Sequence, residues 1–148
     1  MMNTNLRGTF LCARAAAQVM VKRKSGSIVS ISSVHETIPW GGYAHYCASK
    51  AGLAMLTKTM ALELGSSGVR VNNVCPGAID TPINQSWSGD AKLRKVVLEK
   101  IPEGRLGTSP EVAGAVAYLV SKEASYITGT SLFIDGGMTL YASFLSQG

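Results

Sequence analysis

Three short apolar runs, at 27–33, 69–75 and Ser131–Ile134, alternate with longer stretches of helical periodicity, and this alternation constrains the fold more than any other feature of the chain. A strand apolar at consecutive positions needs cover on both faces, and strands joined through helices run parallel. The pattern predicts an α/β protein built on a doubly wound parallel sheet with helices on both faces. Three strands are few for such a sheet, so the chain reads as an incomplete one.

Taken in order, Leu6, Phe10, Ala13, Ala17 and Met20 recur at three- and four-residue steps and predict a helix over 3–24, closed by Ser25-Gly26. It starts at the head of the chain with apolar residues on more than one side, as a helix does that packs against something preceding it. Pro39 and Gly41-Gly42 mark 34–42 as loop. A long helix over 43–64 carries Ala44, Ala48, Ala51, Gly52 and Ala54, small residues that admit a sheet or a partner helix at close range, and Gly65 and Gly68 stop it. The second strand runs into Pro76-Gly77, an irregular loop covers 78–89, and a short amphipathic helix covers 90–100. Ser109-Pro110-Glu111 reads as a serine N-cap, a proline and a first-turn acid opening a helix to Val120. After the third strand come Asp135-Gly136-Gly137 and an apolar tail over 138–145. With no repeat, low-complexity segment or shift in composition, residues 1–148 read as part of a single domain.

Composition narrows the function classes. A hydrophobic content of 46% with 16% charge fits a globular protein with a real core. No apolar run nears the roughly 20 residues that span a bilayer, and the polar start at 1–8 lacks a secretory pattern, so a cytoplasmic location is expected. Fourteen basic residues against nine acidic ones give +5. Lys22, Arg23 and Lys24 sit at a helix C-terminus and Lys92, Arg94, Lys95 and Lys100 surround a short helix, so solvated faces are favoured over a nucleic-acid patch. Cys12, Cys47 and Cys75 have neither metal spacing nor a disulfide pattern and are expected to pack as reduced, small apolar residues; no metal site is expected.

The chemistry centres on Tyr46 and Lys50, four residues apart and so on one face of the 43–64 helix. A free tyrosine ionises near pH 10 and is a poor base at neutral pH, but a fixed ammonium nearby favours the phenolate. Ser33, at the mouth of the first strand, stands where it can hold a substrate oxygen against the phenol. With five tyrosines and eight lysines, this spacing arises by chance in about one chain of this length in four. Tyr118 and Lys122 repeat it without a strand, a serine or a loop before them, so Tyr118 reads as an ordinary helix residue.

Several landmarks in order, Asn5-Leu-Arg-Gly-Thr-Phe, Ile31-Ser-Ser33, Tyr46-x-x-x-Lys50, Pro76-Gly77 and Asp135-Gly-Gly137, resemble the C-terminal part of a short-chain dehydrogenase/reductase, across essentially all 148 residues. The resemblance implies an incomplete Rossmann-like fold and hydride transfer between NAD or NADP and a small alcohol or carbonyl substrate. It implies a tetrad of Asn5, Ser33, Tyr46 and Lys50: Tyr46 as acid/base, Lys50 lowering its pKa and holding the nicotinamide ribose, Ser33 on the reacting oxygen, Asn5 holding a relay water. Pro76 and Gly77 would turn beneath the nicotinamide, Ile79 meet its carboxamide and Thr81 reach the pyrophosphate. Read singly, Ser33 is equally a strand-end cap, Asn5 a helix-start residue and Pro76-Gly77 a plain turn; their joint occurrence favours the site.

Within the family, Ser32 to Trp40 and Asp135 to Tyr141 resemble the glucose 1-dehydrogenase branch, implying a sugar substrate, with 3-oxoacyl-acyl-carrier-protein reductase the main rival. His35 and Glu36 are either sugar-hydroxyl ligands or solvated loop residues, and His45 falls off the catalytic face. The family's Gly-rich dinucleotide-binding turn is absent, so the chain reads as a truncated enzyme or partial sequence, or as a noncatalytic remnant that pairs with a full-length relative. Either form is expected to assemble as a homo-oligomer, or with that relative, through the helices 3–24 and 43–64, with no nucleic-acid or membrane partner. The edge and helix face that the missing half would cover are expected to be apolar and exposed.

Overall fold

The computed structural model describes residues 1–84 and 89–140. Asn3–Gly8 forms a π-helical turn that runs without a break into α1 (Thr9–Arg23). The chain then forms β1 (Gly26–Ile31), α2 (Ala44–Leu64), β2 (Val69–Pro76), α3 (Ala91–Leu98), α4 (Ser109–Val120) and β3 (Ser131–Ile134). The sheet has the order β1-β2-β3 with both pairs parallel, Gly26 to Ile31 aligned with Val69 to Val74 and Asn73 to Pro76 aligned with Ser131 to Ile134. Of the apolar tail expected over 138–145, residues 141–145 lie outside the described part, as do residues 85–88 of the loop expected over 78–89.

Alternation along the strands decides what each face meets. Ile28 and Val71 face α1 and α2, where they pack with Ala13, Ala17, Met60, Ala61, Leu56 and Leu64. Fully burying one such aliphatic side chain is worth about 1.5–3 kcal/mol. The small residues of α2 serve close approach: a Cβ on Gly52 would stand 3.0 Å from the Leu6 side chain. On the opposite face Ser27 Oγ donates to the Leu119 carbonyl, while Ile31 and Pro76 line a cleft shared with Val112, Ala113 and Val116 of α4. Helices cover both faces, as the strand pattern predicts.

β2 lies in the middle and anchors the segment that leads into β3. Asn72, fully buried, donates from Nδ2 to the Ile127 carbonyl and accepts from the Thr130 N–H, which lines up the approach to β3. Arg70 donates to the carbonyls of Leu119, Ser121 and Ile127, so a cation closes the C-terminal end of α4. Both residues lie in a run that reads from sequence as an apolar strand.

Several expected boundaries shift for local reasons. α1 is closed not by Ser25-Gly26 but by Lys24, itself left-handed at φ 52, whose N–H reaches back to Met20 and Val21. β1 stops at Ile31, because Ser33 leaves the ladder to cap a turn over Val34–Glu36. The cap of α4 is Thr108, not Ser109: Glu111 Oε2 accepts from both the N–H and the hydroxyl of Thr108, while Arg105 grips the same carboxylate at 2.7 and 3.1 Å. The cysteines also differ from expectation, since only Cys75 is buried; Cys47 is half-buried and Cys12 exposed.

β1 is an edge strand of the three-stranded sheet, and Ile31 at its end is 48% exposed. Phe10, Leu11 and Val19 are exposed on α1, consistent with an apolar edge and helix face. Among the described residues, no helix is long and apolar enough to cross a membrane.

Two measurements check these anchors. Asn72→Ala leaves the Thr130 N–H without its acceptor, while the Ile127 carbonyl keeps its bond from Arg70, and is expected to cost about 1–3 kcal/mol in denaturant unfolding. Glu111 is held down to about 2, first by the Arg105 hydrogen bonds and then by those from Thr108. A carboxyl depressed in the folded state stabilises above its ordinary value of 4.5 and ceases to as pH falls from there towards 2, so Glu111→Gln should flatten the acid limb of the unfolding profile in that window.

Candidate active site

Tyr46 and Lys50 emerge from the first two turns of α2 on the side facing the end of β1. Lys50 Nζ lies 5.7 Å from the centroid of the Tyr46 ring and donates at 2.9 Å to the Ile31 carbonyl, the last of the strand. That bond ties the lysine to the sheet and keeps its charge beside the phenol. Burial pulls the Lys50 pKa down from its ordinary value, while Cys75 and Glu36 oppose the fall.

Ser33 is buried at the strand mouth and its Oγ accepts from the His35 N–H at 3.2 Å. The capping alternative thus describes a contact it makes, yet the hydroxyl keeps its own proton to donate. Asn5 comes to the site from far away in sequence: its Nδ2 donates to Ser49 Oγ at 3.1 Å, and Ser49 Oγ donates to the Tyr46 carbonyl at 2.7 Å. The amide therefore braces the turn that carries Tyr46. His45 is exposed, as its place on the helix wheel implies, and so is Tyr118 on the other side of the sheet.

An aromatic wall stands beside the phenol, and of its members the sequence pattern singles out only His35 as a candidate ligand. His35 stacks on Trp40 at 4.7 Å between centroids, Trp40 stacks on Tyr43 at 4.0 Å, and both His35 and Trp40 present edges to Tyr46. His35 Nδ1 meets the Ile38 carbonyl at 3.1 Å, which makes Nδ1 the protonated nitrogen and leaves Nε2 as an acceptor in the neutral ring. Trp40 and Tyr43 lie in a loop and at a helix cap with no periodic signal; the density of aromatics between Trp40 and Tyr46 is the one sequence signal that could have found them.

Beyond Lys50, an apolar cleft of ≈ 440 Å³ opens between strand ends and α4, walled by Ile31, Pro76, Ile79, Thr81, Ser109 and Val112 among others. Pro76, Ile79 and Thr81, three of the residues expected along the cofactor, line this one cleft. Gly77 does not; its N–H donates to the Ile134 carbonyl, and a Cβ there would lie 2.9 Å from the Asp135 Cα. Its smallness serves the junction of β2 with the turn after β3. A smaller cavity of ≈ 260 Å³ lies beside Arg105, Glu111 and Asp135, whose charges are already matched by one another and by Glu103, Gly137 and Thr139. Among the described residues no cluster of His, Cys, Asp and Glu could hold a metal ion.

The family model described as Enoyl-(Acyl carrier protein) reductase matches residues 1–139. The chain is 50% identical over 143 residues to 3beta-hydroxysteroid dehydrogenase 1 of Eggerthella lenta, covering 96% of this chain and 55% of that protein. It is 46% identical over 144 residues to glucose 1-dehydrogenase 2 of Bacillus subtilis, covering 97% and 55% respectively. A crystal structure of a gluconate 5-dehydrogenase from Burkholderia cenocepacia in complex with NADP and tartrate superposes with a TM-score of 0.92 at 34% identity, over 96% of this chain and 56% of the other. The chain thus spans about 55% of the length of these curated relatives.

The junction beneath the cleft can be checked directly. Gly77→Ala pushes a methyl against the Asp135 backbone and should cost about 1–3 kcal/mol in denaturant unfolding. Gly114→Ala, in the exposed middle of α4 with no neighbour within 4 Å, should instead stabilise by about 0.5–1 kcal/mol.

Proposed function

Because the chain belongs to the short-chain dehydrogenase/reductase family, we propose that it carries the proton-handling portion of an NAD(P)-dependent dehydrogenase site with Tyr46 as the acid/base. The observation that carries this reading is the Lys50 ammonium, tethered to Ile31 and held 5.7 Å from the Tyr46 ring. When bound, the nicotinamide accepts the hydride released as a carbinol carbon becomes a carbonyl. Tyr46 Oη takes the hydroxyl proton in that direction and returns it in the other, beside the Lys50 ammonium. Ser33 Oγ donates to the reacting oxygen, its capping bond using only a lone pair. Asn5, acting through Ser49, fixes the turn that aims Tyr46.

The cleft fits a flat nicotinamide ring, with Ile31, Pro76 and Ile79 supplying apolar walls and Thr81 a hydroxyl at the rim. Lys50, anchored on the carbonyl of the wall residue Ile31, would hold the ribose. Gly77 packs on Asp135 and does not line the cleft. The edge of the His35, Trp40 and Tyr43 stack gives the site an aromatic border, and His35 Nε2 supplies an acceptor for a ring hydroxyl, which supports a hydroxylated ring, a sugar such as glucose, as the substrate. A second reading, reduction of a 3-oxoacyl thioester on an acyl carrier protein, is favoured by the acyl-carrier description of the matching family model. Apolar Met2, Leu6, Phe10 and Leu56 line a groove between the two long helices, supporting self-association through 3–24 and 43–64.

Calorimetric titration of the 148-residue chain with NAD and NADP, followed by turnover on glucose, a 3β-hydroxysteroid and a 3-oxoacyl thioester, tests the proposal. Micromolar nucleotide affinity and turnover of glucose are expected, with Tyr46→Phe at least about 100-fold slower and Tyr118→Phe unchanged. Equal losses in the two variants would overturn the assignment of Tyr46. A folded chain that binds neither nucleotide would establish the noncatalytic remnant in its place.

A further inference from the structure

Between the turn that Ser33 caps and the start of α2, the chain folds back on itself twice. The Ile38 N–H donates to the Val34 carbonyl, and the Tyr43 N–H donates to the Trp40 carbonyl at 3.0 Å, closing a four-residue turn over Trp40-Gly41-Gly42-Tyr43. Its third residue, Gly42, stands at φ 82, a left-handed conformation that glycine adopts without strain. The turn lays the Trp40 and Tyr43 rings together, 4.0 Å between centroids and 22° from parallel, and His35 stacks on the same indole at 4.7 Å and 21°. Two rings this close to one indole cannot share a face without overlapping, so His35 and Tyr43 cover opposite faces of Trp40. With its faces taken, Trp40 meets Tyr46 by its edge, at 6.2 Å and 84°. Trp40 is nonetheless 46% exposed, so the flanking rings rather than core packing hold it in place.

We propose that Trp40 is a positioning residue for His35: clamped against the imidazole by the turn at Gly42, it holds the ring on the Ile38 carbonyl in the Nδ1–H tautomer and so keeps Nε2 a hydrogen-bond acceptor. The hydrogen bond, 3.1 Å from Nδ1 to the Ile38 oxygen, needs a proton on Nδ1 because a carbonyl can only accept. It fixes one nitrogen, but the ring can still turn about that point, and the contact with the Trp40 face is what prevents it. The His35 ring lies 6.0 Å from that of Tyr46, so the state of Nε2 is a property of the site's border. This rests on the reading of Tyr46 as the acid/base, and it names what the border selects. An acceptor nitrogen takes a substrate hydroxyl and offers nothing to a carbonyl or ether oxygen. Once the ring is released, Nε2 can carry the proton instead and become a donor, and the preference is lost.

The test reads the tautomer of each histidine ring in the nucleotide-free chain from long-range proton–nitrogen NMR correlations at about pH 8.5, roughly two units above the ordinary imidazole pKa. The chain has two histidines, and the exposed His45 is the internal reference. In the unmodified chain His35 is expected in its Nδ1–H form. In Trp40→Leu the ratio of Nδ1–H to Nε2–H at His35 should fall about tenfold as the stack is lost, and Trp40→Phe should restore most of it. His45 should be the same throughout. An Nε2–H form of His35 in the unmodified chain, or a ratio unmoved by Trp40→Leu, would overturn the proposal. Should Trp40→Leu not fold, Gly42→Ala strains the turn while leaving every ring in the chain, and its His35 ratio decides in the same way. Because the readout needs neither nucleotide nor turnover, an unclamped His35 and a chain without dehydrogenase activity are different results.

Discussion

The pairing of β2 on both of its sides is the constraint on which the rest of the structure depends. Val69, Val71, Val74 and Cys75 are all but fully buried in it, and its alternation sorts the molecule into two layers. Val71, Asn73 and Cys75 face α1 and α2; Arg70, Asn72 and Pro76 serve α4 and the approach to β3. Thr57 of α2 donates to Asn73 Oδ1 at 2.7 Å within this interface, which fixes the helix along the strand as well as against it. A shift of register by one residue would turn Arg70 and Asn72 into the aliphatic layer and unmake both.

With α2 fixed in this way, the site is a consequence of where strands end. Parallel strands bring their C-terminal ends to one side of the sheet, and Ser33, Pro76 and the turn after Ile134 lie there. The first turns of α2 arrive at the same side, carrying Tyr46 and Lys50. Hydrogen bonds from Asn5 through Ser49 and from Lys50 to Ile31 then join three elements around the phenol. The resulting centre has an aromatic wall on one side and an apolar cleft on the other, the two surfaces that a ring substrate and a flat cofactor would need.

Much of this was legible in the residues. Strand order along the chain, helix-strand alternation and the shared face of Tyr46 and Lys50 follow from periods of 2 and 3.6, which are local properties. The landmark spacings also carried family membership. The tertiary structure alone decided which polar groups meet: Asn5 with Ser49, Arg70 with the end of α4, Thr57 with Asn73. It also chose between rival local signals, taking Thr108 over Ser109 as a cap because Arg105 holds Glu111 in reach, and ending α1 on Lys24 rather than on the following serine and glycine. The role of Gly77 shows the division most clearly. Its smallness is visible in the sequence as half of a turn, but the reason for it is the backbone of Asp135, far along the chain, which only the pairing of β2 with β3 brings alongside.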